Sequence, residues 1–190
     1  MKILVSSDMI HPYVGGGETY VLNLGRELAK MGHEFHWCGT RMPGCEKEEF
    51  VEGIHLHRVT VPFSQKYLFS RYLYPLVSFP LLTKLSKRMD ILQFNTYVAS
   101  LSGWLIGKIV KKPYCIFVHE FFREKWIFIG KNCVEKIVFP KIEEYIAASP
   151  YPLFLCPSNY TKKTLVKLGV EKRLSLIHIS EPTRPRLISY

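Results

Sequence analysis

The sequence predicts an α/β fold: a doubly wound, mostly parallel sheet with helices packed on it. Three observations carry this. Short apolar runs of strand length alternate with helix-length amphipathic segments along most of the chain. The first run stands at the very N-terminus. Gly15, Gly16 and Gly17 then separate that run from the first helix. This places the helix's free backbone N–H groups over the end of a strand, where they suit a phosphate-bearing or hydroxyl-rich ligand. With 190 residues, 47% apolar and 14% aromatic, the chain can bury one full α/β core.

The elements follow in order. Ile3–Ser6 is strand one. Gly17–Met31 is helix one, because Val21, Leu24, Leu28 and Met31 fall at helical spacing. Glu18 suits its positive end and Gly32 stops it. Glu34–Gly39 is strand two, and the polar stretch Arg41–Gly53 reads as a loop. Ile54–Val61 is strand three, with mixed faces. Phe63–Arg88 is aromatic and basic; Pro75 and Pro80 predict a broken helix there. Asp90–Asn95 is strand four, Val98–Val110 a helix and Tyr114–His119 a continuous apolar fifth strand. Phe121–Ile129 is a loop or short helix, Val134–Ala148 a helix with Pro140 inside it, and Phe154–Cys156 a sixth strand. A last helix, Asn159–Leu168, ends at Gly169.

In such sheets ligands sit beyond the carboxyl ends of the strands. The loops that matter are therefore 8–17, 40–44, 95–98, 119–123 and 157–161. Glycine is expected at 15–17 because a close-approaching ligand leaves no room for Cβ, with positive φ as a further reason; the alternative is a tight loop with no ligand. The pattern is not G-x-G-x-x-G, and Thr40-Arg41 stand where a ribose-binding acid would end strand two, which counts against a dehydrogenase. Ser158 ends the sixth strand, where its hydroxyl either meets a ligand or caps the following helix. Arg41 and Arg123 lie on ligand-side loops, facing either an anionic acceptor or solvent.

The formal charge is +10, scattered rather than clustered, so anionic partners and a plainly solvated basic surface both fit. Five cysteines, an odd number with no C-x-x-C, point to a reducing cytosol and away from zinc. His33, His36, His55 and His57 show no metal spacing and read as surface or half-buried residues. No secretory leader and no membrane-spanning helix are expected.

The frame Met1-Lys2-Ile3-Leu4-Val5, then His11-Pro12-x-x-Gly15-Gly16-Gly17-Glu18-Thr19, then Leu24-x-x-Glu27-Leu28-Ala29-x-x-Gly32-His33, resembles the start of a large glycosyltransferase family. These are the retaining, nucleotide-sugar-dependent enzymes of family four, with the GT-B fold. Lys87-x-x-Asp90-Ile91, Pro113-x-x-x-x-Val118-His119-Glu120 and Pro157-Ser158-x-x-Thr161-Lys162-x-x-Leu165-x-x-x-Gly169-Val170 fit the same family, so the resemblance runs to Arg173. It implies a Rossmann-like, acceptor-side domain over residues 1–173, one half of a GT-B fold. The donor-binding domain that follows in the family is absent. The resemblance further implies transfer of a hexose or similar sugar from a nucleotide-diphosphate sugar to a hydroxyl, with retained configuration and with neither metal nor cofactor. The leaving diphosphate helps to deprotonate the acceptor, which is lipid-linked or a polysaccharide.

By the same resemblance His119 lies at the interdomain cleft as the catalytic candidate, hydrogen-bonding a sugar hydroxyl or the acceptor. Gly15, Gly16, Gly17, Glu120 and Ser158 are the substrate-binding candidates; Glu120 either orients His119 or is plain surface. Phe63–Arg88 has two readings. It lies on an anionic membrane, which would place a cytoplasmic enzyme at the inner membrane face, or it packs on the sheet, the commoner fate of such a stripe. The stretch Leu174–Pro185 resembles a translated sequencing-library adapter; the alternative is a native strand with a Pro-rich tail. Residues 174–190 are therefore read as a non-native tail, His178 is given no role, and the chain alone is expected to be inactive. Two other classes remain open: a self-contained flavodoxin-like module holding a phosphorylated ligand, and a basic nucleic-acid binder, against which the scattered charge argues.

Overall fold

A computed structural model of the chain describes residues 1–62, 71–130 and 133–176. The strands are β1 (Lys2–Ser6), β2 (Glu34–Thr40), β3 (Glu48–Val51), β4 (Ile54–Val59), β5 (Ile91–Asn95), β6 (Tyr114–Phe117), β7 (Phe154–Cys156) and β8 (Leu174–Leu176). The helices are α1 (Gly16–Lys30), α2 (Tyr74–Ser86), α3 (Ser100–Val110), α4 (Trp126–Ile129), α5 (Cys133–Ala148) and α6 (Asn159–Lys167). The sheet order is β3-β4-β2-β1-β5-β6-β7-β8. Every neighbouring pair is parallel except β3 with β4. This is the doubly wound α/β architecture expected from the alternation of runs.

Strand alternation sorts the core into two layers. Ile3, Val5, Phe35, Trp37, Ile54 and Leu56 share one face and pack with Val21 of α1. Leu4, Cys38, Leu92, Phe94 and Ile116 share the other and pack with Leu82 of α2, Ile106 of α3 and Ile146 of α5. The parallel strands are buried on both sides, which is why their sequences are nearly continuous apolar runs.

Four expectations need correcting. Part of the loop expected over 41–53 is a strand: β3 pairs antiparallel with β4 at the sheet edge. The helix expected to break at Pro75 and Pro80 runs unbroken over Tyr74–Ser86. Pro75 occupies its first turn, where no N–H is needed, and Pro80 is carried inside it. Fifth-strand geometry ends at Phe117, two residues short of His119. Beyond the six strands expected, Leu174–Leu176 pairs with β7 as β8. Of the aromatic segment, Tyr74 is fully buried, and its hydroxyl bonds Ser6 Oγ at 2.9 Å and donates to the Cys38 carbonyl at 3.1 Å. Phe63, Lys66, Tyr67 and Phe69 fall outside the described residues, as does His178. No helix among the described residues is long and apolar enough to cross a membrane.

Candidate functional site

The strand order reverses at β1: β2 lies on one side of it and β5 on the other. A crevice therefore opens beyond the carboxyl ends of β1, β5 and β6, the usual ligand position in this architecture. The chain delivers Ser7 and Asp8 there after β1, Thr96 after β5, and His119 and Glu120 after β6. The start of α1 returns to the same place.

His119 stands just beyond β6, beside the start of α1. Its backbone N–H donates to Thr96 Oγ1 at 3.2 Å, which ties the ends of β5 and β6 together. Its ring stands 4.7 Å from Phe117 and 6.0 Å, edge-on, from Tyr20 of α1. Tyr20 itself stacks on Phe117 at 4.5 Å. Burial in this aromatic setting pushes the imidazole down to about 4, against a weaker upward pull from Asp8. At neutral pH the ring is uncharged, with one N–H donor and one bare nitrogen.

Two of the three glycines, Gly15 and Gly17, are explained by close approach of the chain's own side chains, and none by backbone conformation. None of Gly15, Gly16 and Gly17 has positive φ, so that half of the expectation fails. A Cβ on Gly17 would sit 3.3 Å from both Cε1 and Nε2 of His119. A Cβ on Gly15 would overlap the Glu18 carboxylate, which folds back over the start of α1. Gly16 faces open space. Burial raises the Glu18 carboxyl pKa, and the Asp8 charge raises it further. Asp8 is buried and accepts from Arg71 Nε at 2.7 Å. The helix start therefore faces two carboxyl groups as well as its own N–H groups, a setting that suits hydroxyls better than phosphate.

Glu120 belongs to a loop held from beneath by Glu143. The Glu143 carboxylate is fully buried in α5. Its Oε1 accepts from Phe122 N at 2.8 Å and from Trp126 Nε1 at 2.7 Å, and its Oε2 accepts from Arg123 N at 2.8 Å. Tyr97 shares its single O–H between Glu143 Oε1 at 3.0 Å and the Glu120 carbonyl at 2.9 Å. Burial and then the Glu143 charge raise the Glu120 carboxyl pKa. A cavity of about 240 Å³ is lined by Arg71, Tyr72, Tyr97, Glu120 and Trp126 among others. Arg71 thus joins the Asp8 side of the crevice to the Glu120 side.

Ser158 arrives at the same end of the sheet, where its Oγ accepts from Thr161 N at 3.1 Å and caps α6. Thr161 Oγ1 then donates to the His119 carbonyl at 3.5 Å. Arg123 Nη1 reaches Glu144 at 3.0 Å and the Pro140 carbonyl at 3.3 Å. A second, more basic cavity of about 470 Å³ lies beside it, lined by Arg123, Lys125, Tyr160, Lys163 and Lys167 among others. Asp8, Arg71, Tyr20, Tyr97 and Glu143 were not singled out from the sequence. Asp8 and Tyr97 carried a signal there as residues of ligand-side loops, and Arg71 as a basic residue of Phe63–Arg88.

The crevice and the doubly wound sheet around it define one lobe of the GT-B glycosyltransferase fold. Residues 14–179 match the model of Glycosyltransferase Family 4, and the chain belongs to that family. Sucrose-phosphate synthase from Thermosynechococcus elongatus superposes with a TM-score of 0.74 at 16% identity, over 93% of this chain and 47% of that one. HepE of Anabaena, in complex with UDP and glucose, gives 0.61 at 16% identity over 93% and 44%. The lipopolysaccharide outer core galactosyltransferase WaaB, in its apo form, gives 0.57 at 17% identity over 92% and 44%. The chain thus spans about half the length of these structures. No curated protein sequence matches it.

Proposed function

We propose that this chain is the acceptor-side half of a retaining glycosyltransferase that moves a hexosyl group from a nucleotide-diphosphate sugar to an acceptor hydroxyl. The observation that carries the reading is His119: a neutral, largely buried imidazole at the switch point, pressed against Gly17 and flanked by Asp8. A neutral ring donates a hydrogen bond to a sugar or acceptor hydroxyl without presenting a charge to it. Gly15–Gly17 bring the start of α1 close enough for its N–H groups to share in binding, and Glu120, raised in pKa, hydrogen-bonds hydroxyls from the other wall. Ser158 acts through its cap of α6, since its Oγ is already engaged with Thr161. The two carboxyl groups beside α1 favour this reading over a module that holds a phosphorylated ligand. The buried thiols, with Cys115 pushed up to about 12, fit a cytoplasmic setting.

The donor sits in a second lobe, and a lipid-linked or polysaccharide acceptor enters from this one. The chain spans about half the length of the similar structures, which supports the reading of a second lobe in the whole protein; the family match itself runs six residues past Arg173, to residue 179. The test is to recover the uninterrupted gene from source DNA and to assay transfer from UDP- and GDP-hexoses. Transfer with retained anomer is expected. It should fall at least ~100-fold on His119→Ala, as for loss of one transition-state hydrogen-bond donor. A full-length product that transfers no sugar overturns the enzyme reading. Robust turnover by the 190-residue chain overturns the fragment reading.

A further inference from the structure

We propose that Glu34, His36 and His55 form a binding site for one divalent transition-metal ion of the zinc class, with His57 as its orienting partner. The site lies on the opposite end of the sheet from His119. His36 and His55 face each other across β2 and β4, and Glu34 precedes His36 by two residues on the same face. One ligand atom from each of the three lies within 4.8 Å of the others. Ligand atoms around a tetrahedral zinc stand about 3.3 Å apart. Glu34 Oε1 and His36 Nε2 are already 2.8 Å apart, and the half-exposed His55 ring has to turn out of its stack on His36 to aim a nitrogen at the ion. That ring stacks on His36 at 4.7 Å and is walled by Phe50 at 4.7 Å. Lys2 holds the other Glu34 oxygen at 2.8 Å and fixes the carboxylate.

The hydrogen-bond pattern supplies a second, independent argument. A carboxylate only accepts, so His36 must donate from Nε2 to Glu34. Its Nδ1 must then accept from His57 Nε2, 2.9 Å away. That leaves His57 Nδ1 as a bare, buried nitrogen with no hydrogen-bond partner, facing a Glu48 carboxylate 3.6 Å away. Lone pair meets carboxylate. A metal on His36 Nε2 reverses the chain: His36 Nδ1–H donates to His57 Nε2, and His57 Nδ1–H points at Glu48. Each imidazole keeps one proton, so none is gained or lost. The result is a ligating imidazole whose second nitrogen is held by an outer partner, the arrangement that orients ligands in metal sites. At the amino ends of β2 and β4 the ion would clamp the sheet edge and take no part in sugar chemistry.

The experiment is Co²⁺ and Zn²⁺ titration of the 190-residue chain, read by visible absorption, calorimetry and histidine ¹⁵N NMR. One equivalent should bind, with Co²⁺ bands in the visible and a switch of His36 and His57 from the Nε2–H to the Nδ1–H tautomer. His55→Gln and His36→Gln should each weaken binding more than tenfold, and His57→Phe by about 10- to 100-fold. His33→Gln should leave binding unchanged. His36 is buried; should its variant not fold, the half-exposed His55→Gln decides alone. No saturable binding at millimolar metal, or one-equivalent binding that survives His55→Gln, overturns the site.

Discussion

Removing the Glu143 carboxylate tests whether the His119–Trp126 loop is held from the core. In Glu143→Leu three N–H donors, from Phe122, Arg123 and the Trp126 indole, lose their acceptor, and Tyr97 keeps only the Glu120 carbonyl. A buried donor left unsatisfied costs about 1–3 kcal/mol. The loop is half-buried, so water reaches part of it, and the low end of that range applies: about 1 kcal/mol for each of the three N–H donors and about 1 for the lost Tyr97 bond, about 4 kcal/mol in all. Glu143→Gln should cost less. Its amide oxygen can occupy the Oε1 position and keep two N–H bonds, while its NH₂ meets the Arg123 N–H donor to donor. Losing that bond and the charge on the others amounts to about 2 kcal/mol. Domains of this size have about 5–15 kcal/mol to lose, so both variants should fold. Urea unfolding measures the difference. With a slope of about 2 kcal/mol/M, the midpoint should fall by about 1 M for Gln and about 2 M for Leu. A Leu variant within about 1 kcal/mol of the parent, or a Gln variant as damaged as Leu, would refute the account.

Three further outcomes follow from the crevice. Gly17→Ala should leave stability within about 1 kcal/mol, since alanine favours helix, yet shift the His119 ring resonances by NMR because its Cβ presses the imidazole; unchanged resonances would contradict that contact. His119 has a folded pKa of about 4 against about 6.5 unfolded, so the unfolded chain binds the extra proton. Its contribution is complete above pH 6.5 and is lost as pH falls toward 4, at up to about 1.4 kcal/mol per pH unit; urea midpoints across that window should flatten in His119→Gln, and an unaltered slope would count against the buried neutral ring. Arg71→Gln leaves the buried Asp8 charge unpaired; Arg71 is 45% exposed, so screening limits the stability cost to about 1–2 kcal/mol, and the His119 pKa measured by NMR should rise. A His119 pKa that stays put would separate Asp8 from the imidazole.

What the sequence disclosed follows from how each element is buried. The strand Tyr114–Phe117 was legible because burial on both faces demands a continuous apolar run, and Ile91–Asn95 because Ile91, Leu92 and Phe94 mark it despite Gln93 and Asn95. Strand β3 was not, because Glu48-Glu49-Phe50-Val51 is an exposed edge strand whose acids reach Arg58 and His57 of β4 and whose order comes from pairing with β4. Helix α2 was hidden by its prolines, of which Pro75 sits where a proline costs nothing. Gly15 and Gly17 were found at the right place, but the cause is contact with Glu18 and His119, which only the packing reveals. Glu143 gave no signal: a glutamate in a helix reads as surface, and two of its donors are main-chain groups about 20 residues away. The histidine cluster was invisible for a related reason. His36 and His55 meet only through the β2–β4 register, which no spacing within one strand contains.

The chemistry of the crevice depends on how two charges are disposed of. Asp8 is buried, and Arg71 meets its carboxylate. Desolvation of the His119 ring outweighs the upward pull of Asp8, so the ring stays neutral. With Arg71 in place, the ring offers one donor and one acceptor to whatever enters, and the carboxyl groups of Glu18 and Glu120, both raised in pKa, stand on either side. An imidazole meant to hold a phosphate would be served by the opposite arrangement, charged and free of nearby acids. A neutral ring standing among acids therefore suits a hydroxyl-bearing ligand better than a phosphate.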